Sequence, residues 1–326
     1  MLRKRRQKEE TNKMEKLIMS NAPHFHSKVS SRNIMLDVIL ALLPATVAAV
    51  VLYGLKALAI IATCVASAVI SEYFFNVFTK RKQSAADLSA VVTGLLLALN
   101  INANTALWQC ALGSVFAIVV VKCLFGGIGH NFANPAITGR IVMLLSFSAV
   151  AGGTAPRFVD AVSSATPLEA IANGSELPSI MNMMFGLRGG AIGEGCIIAL
   201  LIGFVYLVAR RVIKWYIPAV FVGTVFVFSL IYSGDVMFAV YEILAGGLFL
   251  GAIFMATDYV TSPITTSGKI IFGIGCGFFT MVIRTFGAYP EGASFAILLM
   301  NILTPHIDNW TRHHINGVEK KKGGAK

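Results

Sequence analysis

Residues 217–232 read IPAVFVGTVFVFSLIY, a run of sixteen positions without one charged side chain. About 20 apolar residues cross the hydrocarbon of a bilayer as a helix, and only backbone that satisfies its own hydrogen bonds is stable there. Runs of this kind recur along the chain, which is 56% hydrophobic and 13% charged over 326 residues. A soluble domain of that length has too little interior to hide so much apolar surface. The sequence therefore describes an all-α polytopic membrane protein of about ten transmembrane helices.

Charge placement fixes an orientation. The net charge is +11, but the first 32 residues hold nine of the 27 Lys/Arg and the tail from Arg312 holds five. The short loops TKRK and RRVIK hold three each. Clusters beside membrane spans follow the positive-inside rule. A nucleic-acid partner is excluded, because no aromatic-interleaved basic face accompanies them. The basic start leads into polar residues, without the short apolar region and cleavage site of a signal peptide. Cys64, Cys110, Cys123, Cys196 and Cys276 all sit in apolar segments without C-x-x-C spacing, and they read as small buried hydrophobes.

Spans are expected over 33–54, 55–78, 86–101, 106–125, 135–151, 190–209, 215–232, 236–256, 270–289 and 292–310. The chain then divides into a basic cytoplasmic arm (1–32), a first five-helix unit (33–151), an extracytoplasmic loop (152–189), a second five-helix unit (190–310) and a basic cytoplasmic tail (311–326). This orientation leaves most Lys/Arg inside, with Arg140 and Lys269 counted among them. KCLFGGIGHNFANPAITGRIVML at 122–144 is similar to IRTFGAYPEGASFAILLMNIL at 283–303, each with FG, a polar turn and a new apolar helix. Two copies of five spans are necessarily inverted with respect to one another. The short third span and the passages GGIGHNFANPA and AYPEGA place polar, Gly/Pro-bearing backbone near membrane depth. Such backbone either lines a site at the repeat interface or forms tight surface loops.

The central loop carries VDAVSSATPLEAIANGSELPS at 159–179. Within it T-P-L-E reads as a helix start: Thr166 as N-cap, Pro167 at the first helical position and Glu169 closing a capping box. The residues before it add D-x-x-S-S-A-T, from Asp160 through Ser163, Ser164 and Ala165 to Thr166. This pattern resembles the motif at which a flavin transferase joins FMN through its phosphate to a threonine hydroxyl. The whole chain is similar to the family of D subunits of Rnf electron-transport complexes and their relatives, the B subunits of sodium-pumping NADH:quinone reductases. SSRNIMLDVILALLPAT, FGGIGHNFANPAITGR, MATDYVTSP and FGAYPEGASFAILLMNILTPHID carry the resemblance in order along the chain. The brief N-terminal arm favours the Rnf branch.

The resemblance implies a covalent FMN on Thr166, with Asp160, Ser163, Ser164 and Ala165 as the attachment context. A phosphoester on a helix N-cap would sit over the free N–H groups of the first turn. Glu169 would repel it unless turned away, while Arg157, Arg188 or Arg284 would offset the charge; Arg284, within an apolar span, is the candidate for the flavin phosphate. The resemblance also implies a non-covalent riboflavin near the cytoplasmic side, at Asn131 and Asn134 beside Gly126 and Gly127. Amides pair with an isoalloxazine edge and glycines admit a planar ring. Equally, both asparagines serve as caps for the helix that begins at Pro135.

The implied protein is the flavin-bearing membrane component of an ion-translocating ferredoxin:NAD oxidoreductase in a bacterial or archaeal cytoplasmic membrane. It has no complete active site of its own, and it works with the A, B, C, E and G subunits, membrane lipids and a flavin transferase. No nicotinamide or iron–sulfur motif is present. GIGCG at 273–277 lies in an apolar span and reads as a helix-packing pair, Gly273 and Gly277. Asp37, Glu72, Glu242 and Asp258 are candidates for an ion path, or for ion pairs at helix ends. A urea- or ammonium-channel-like solute channel, a passive scaffold and the quinone-reductase branch stay open as alternatives.

Overall fold

The computed structural model describes residues 30–81, 83–147, 150, 153–157, 166–173, 175, 177–287 and 291–312. Ser31 onward forms one compact unit. Apart from an antiparallel bridge between Thr154 and Gly190, the described regular structure is helical.

The first half contains α1 (Ser31–Tyr53), α2 (Leu55–Phe78), α3 (Ser89–Leu99), α4 (Leu107–Phe116, continued as a π-helix to Cys123) and α5 (Pro135–Ser146). Two short helices follow, α6 (Pro167–Asn173) and α7 (Ile180–Phe185). The second half contains α8 (Ile197–Ala209), α9 (Tyr216–Ser233), α10 (Val236–Leu244) and α11 (Leu248–Leu250, continued as a π-helix to Met255). It closes with α12 (Thr266–Phe286) and α13 (Ala293–Thr311).

Four of these, α1, α2, α9 and α12, are long and apolar enough to cross a membrane alone. Joined to α11 across a 64° bend, α10 is long and apolar enough for a fifth, broken span or a re-entrant loop. The expected spans at 86–101, 106–125, 135–151 and 190–209 instead appear as shorter apolar helices. An 11-residue helix such as α3 extends only about 16 Å, roughly half the hydrocarbon thickness.

Small residues explain the central packing. On α1, Ala41, Ala45 and Ala49 are buried while Leu36, Leu40, Leu43, Val47 and Val51 face outward, so both faces are apolar. α1 packs along α8, whose Gly203 lies so close to the Ala41 carbonyl that a Cβ would stand 2.3 Å from it. The two helices run antiparallel. Asp37 near the start of α1 accepts from Tyr206 Oη at 3.0 Å at the end of α8, whereas Leu52 lies against Gly195, just before α8 begins.

The halves share a packing pattern. In each, the second helix (α2 or α9) packs on the third and fourth elements, and the fourth packs on the fifth. Across the halves, first packs on first (α1 on α8) and fifth on fifth (α5 on α13). Gly273 and Gly277 do form a packing face, seating α12 against Val220 and Thr224 of α9.

Both third elements are interrupted. After α3, Asn100–Asn102 run as buried non-helical chain, and the orphan carbonyls of Leu99 and Ile101 accept from Gly193 N (2.7 Å) and Ile192 N (2.9 Å). After α10, Ala245–Gly247 break the helix, and Arg284 of α12 donates to the carbonyls of Glu242 (2.6 Å) and Ala245 (3.1 Å). Irregular backbone is thus enclosed by protein at both breaks, as its polarity requires.

Candidate functional site

Polar chemistry collects at both ends of the α1–α8 pair. At the Tyr53 end lies Thr166, only 8% exposed. The expected capping box is present: Thr166 N donates to Glu169 Oε2 (2.8 Å) and Glu169 N donates to Thr166 Oγ1 (3.2 Å). Glu169 is thereby held on the cap backbone. Just beyond the cap, Leu168 packs with Met183, Ile197, Leu244 and Ala245, docking α6 onto the broken α10. Gly153 and Gly190 line the other side of Thr166: a Cβ on Gly153 would stand 2.8 Å from Thr166 Cγ2 and 2.9 Å from Gly190 N. Asp160, Ser163, Ser164 and Ala165 lie outside the described residues.

Behind Thr166 is a buried charged network. Arg140, counted by the charge pattern as a cytoplasmic base, is instead buried within α5. It donates to Asn100 Oδ1 (3.2 Å), Ser294 Oγ (2.6 Å) and Glu291, with Glu194 at 3.6 Å. The apolar residues around it hid its role, because a lone cation in an apolar run is indistinguishable in sequence from a loop base. Arg284 pairs with Glu242 Oε2 at 2.8 Å and caps the end of α10, so its guanidinium is largely committed. Arg157 is exposed and lies across Gly54, where a Cβ would stand 1.7 Å from its guanidinium carbon. Gly54 adopts φ 73°, turning α1 into α2 in one residue. Arg188 is buried and donates to the Glu194 carbonyl at 3.1 Å. Burial pulls its pKa down, against the opposing influence of Glu194.

At the Met35 end is a cleft between the helices. Its walls are mostly apolar (Ile34, Val38, Val92, Leu207 and Phe254 among them), with Ser89, Lys122, Gly129, Asn131, Asn134 and Asp258 as polar points. Asn131 Oδ1 is buried and finds no donor among the described residues. Asn134 caps α5, accepting from Ala136 N (3.0 Å) and Ile137 N (3.4 Å), while its Nδ2 donates to the Met255 carbonyl (3.4 Å). Gly126 and Gly127 precede the lining residue Gly129, and all three adopt positive φ (124°, 95° and 90°). Gly126 and Gly127 themselves do not line the cleft, whose lining offers apolar walls, one unsatisfied amide oxygen and one glycine, the chemistry that a planar ring with hydrogen-bonding edges uses.

Three of the four candidate acids are paired. Asp37 meets Arg210 at 3.3 Å, Glu72 meets Lys122 at 2.8 Å and Glu242 meets Arg284. Asp258 bonds to Val260 N and Thr261 Oγ1 and has no ion-pair partner among the described residues. Its desolvation pushes the carboxyl pKa up, against those two bonds.

The chain matches the NQR2, RnfD, RnfE family over residues 18–317. It is 45% identical to the D subunit of the Na(+)-translocating ferredoxin:NAD(+) oxidoreductase complex of Acetobacterium woodii, over 95% of this chain and 98% of that one. Identity to the D subunit of the proton-translocating ferredoxin:NAD(+) oxidoreductase complex of Clostridium ljungdahlii is 39%, over 90% and 94% of the two chains. The D subunit of an ion-translocating oxidoreductase complex of Escherichia coli is 34% identical over 93% and 99%. With its apolar helices, its interrupted third elements and near-complete alignment to these proteins, the chain belongs to the NQR2, RnfD, RnfE family.

Proposed function

We propose that this protein is the membrane-embedded D component of an ion-translocating ferredoxin:NAD oxidoreductase. In this reading it carries electrons between FMN bound through phosphate to Thr166 and riboflavin held in the cleft. The observation that carries it is the placement of the two candidate sites at opposite ends of α1. Val38 lines the cleft and Leu52 adjoins the Thr166 end, about 21 Å apart along the helix. A carrier that moves electrons across a bilayer needs stations at different depths.

The matching packing of the two halves supports two inverted five-helix repeats, with α3, α4, α5, α8 and α13 completing ten passages. With the basic arm, TKRK and RRVIK cytoplasmic, the cleft lies toward the cytoplasm and Thr166 toward the opposite face. The membrane is then the cytoplasmic membrane of a bacterium or archaeon. Ferredoxin and NAD chemistry belongs to the partner subunits (A, B, C, E and G), and a flavin transferase matures this one. Flavins accept one electron or two, and the protein sets their position and potential. This chain's contribution is positioning: α6 holds Thr166 against the broken α10, and Asn131 offers an acceptor within an apolar slot.

The test is in-gel ultraviolet fluorescence of the denatured protein, co-expressed with its transferase, beside Thr166→Ala. A fluorescent band lost in the variant supports covalent flavin at Thr166. Acid extraction of Thr166→Ala should still release riboflavin. An unlabelled wild type, with the transferase active on another substrate, overturns covalent flavin at Thr166 and leaves that residue a helix cap.

A further inference from the structure

Arg188 is a buried cation with unmet hydrogen-bonding capacity. It is 4% exposed, and of its guanidinium nitrogens only Nη2 has a partner, the Glu194 carbonyl at 3.1 Å. Its Nε and Nη1 find no acceptor among the described residues. Tyr53 Oη, also buried, is likewise unpartnered among the described residues. Arg188 has no ion-pair partner among the described residues: Glu194 acts on it electrostatically but lies 3.6 Å from Arg140, and Glu242 pairs with Arg284. Buried guanidinium N–H donors left without acceptors are strongly unfavourable. Two such donors on one cation call for an oxyanion.

In the proposed function Thr166 carries one, as the flavin phosphoester. One point in space, the Cβ position of Gly153, is within 2.8 Å of Thr166 Cγ2, 2.9 Å of Gly190 N and 3.1 Å of Gly189 C. The attachment residue and the backbone just after Arg188 are therefore neighbours. The other two basic candidates differ: Arg284 is bonded to Glu242 and two carbonyls, and Arg157 is solvent-exposed beside Gly54, with no desolvated donors that need a partner. The helix that Thr166 caps spans only seven residues, Pro167–Asn173, and its third-position N–H is taken by Thr166 Oγ1 itself. Its dipole is a weak substitute for a fixed cation.

We propose that Arg188 is the positioning residue that receives the phosphodiester oxygens of the flavin carried on Thr166. The proposal rests on the covalent-flavin reading. Guanidinium–phosphate pairs are short and charge-assisted, and a phosphodiester stays anionic across the physiological range.

The test is a stability cycle on the full chain in detergent, expressed with and without the flavin transferase. Flavin loading should raise the thermal midpoint of wild type by roughly 3–6 °C, because it supplies acceptors for the unpaired Arg188 donors. Arg188→Met should lose that increment while its flavin-free midpoint equals or exceeds that of flavin-free wild type. Inorganic phosphate at about 10 mM should leave flavin-free wild type unshifted. A shift matching that of the flavin, and lost in Arg188→Met, would mean a free oxyanion fills the site and would overturn the proposal. Equal destabilisation of the loaded and flavin-free forms by Arg188→Met would also overturn it, marking the residue as structural. If Arg188→Met is not flavinylated, rescue of attachment by Arg188→Lys supports the proposal and failure of both variants overturns it. An unlabelled wild type, by contrast, removes the covalent-flavin reading itself.

Discussion

Lys122 Nζ lies 2.8 Å from both carboxylate oxygens of Glu72, in a pair whose side chains are 3% and 1% exposed. Ser89 Oγ accepts from the same ammonium at 2.5 Å, and Ser84 Oγ donates to Glu72 Oε1 at 2.5 Å. This network ties α2 to the π-helical end of α4, and its Lys122 and Ser89 line the cleft. Glu72→Gln leaves a buried ammonium without its counter-charge and should cost about 3–5 kcal/mol. The double variant Glu72→Leu/Lys122→Met removes both charges and should recover most of that loss. Denaturation midpoints of wild type and the two variants in one detergent check both expectations, and a double variant no better than Glu72→Gln would mean the pair itself is required.

Arg284 behaves differently from Arg188 because its partners are already present. It neutralises Glu242 and closes two carbonyls at the break after α10. Arg284→Gln should therefore destabilise flavin-free and flavin-loaded protein alike, by about 3 kcal/mol or more. Because Leu168 docks α6 beside this break, limited proteolysis should also cut sooner around 166–179. A stability loss seen only in the loaded protein would return Arg284 to the role of phosphate ligand.

The contrast shows how far the sequence reaches. Apolar runs announce a helical membrane protein, and T-P-L-E announces a capping box, because both are local patterns with a direct physical cause. The partition of bases is not local. Arg140 lies in the middle of α5, and only the approach of Asn100, Glu194, Glu291 and Ser294 from distant segments makes its burial tolerable. Helix length departs from the expected spans for a related reason. Apolar composition continues through Asn100 and Ala245, but the chain there leaves the helix because Gly193, Ile192 and Arg284 satisfy its freed carbonyls. At the cleft, N-P was legible as a cap at Asn134, whereas the unsatisfied oxygen of Asn131 follows from packing alone.

Gly153 and Gly190 make separable demands. A methyl group on Gly153 collides with Thr166 Cγ2 and the Gly190 backbone, whereas one on Gly190 approaches only Glu194, with Oε2 at 3.4 Å. Gly153→Ala should displace Thr166, costing about 1–3 kcal/mol and lowering covalent flavin content severalfold. Gly190→Ala should retain near-normal flavin content. In-gel fluorescence normalised to protein compares the two directly, and equal labelling of both variants would show that Thr166 tolerates displacement.

Thr166 combines two roles that substitution can pull apart. Its side-chain oxygen caps α6 by accepting from Glu169 N, and its hydroxyl is the proposed point of attachment. Thr166→Asn keeps a good capping acceptor but cannot form the ester, so it should be unlabelled and within about 0.5 kcal/mol of wild type when both are flavin-free. Thr166→Ala loses both, and should be unlabelled and about 1 kcal/mol less stable. Thr166→Ser keeps both and should label measurably, with a reduced yield if the methyl contact with Gly153 helps hold the hydroxyl in place. Labelling of Thr166→Asn would move the attachment point elsewhere in the chain. A normal yield in Thr166→Ser, together with poor labelling in Gly153→Ala, would locate the constraint in the position of the backbone and leave the methyl group incidental.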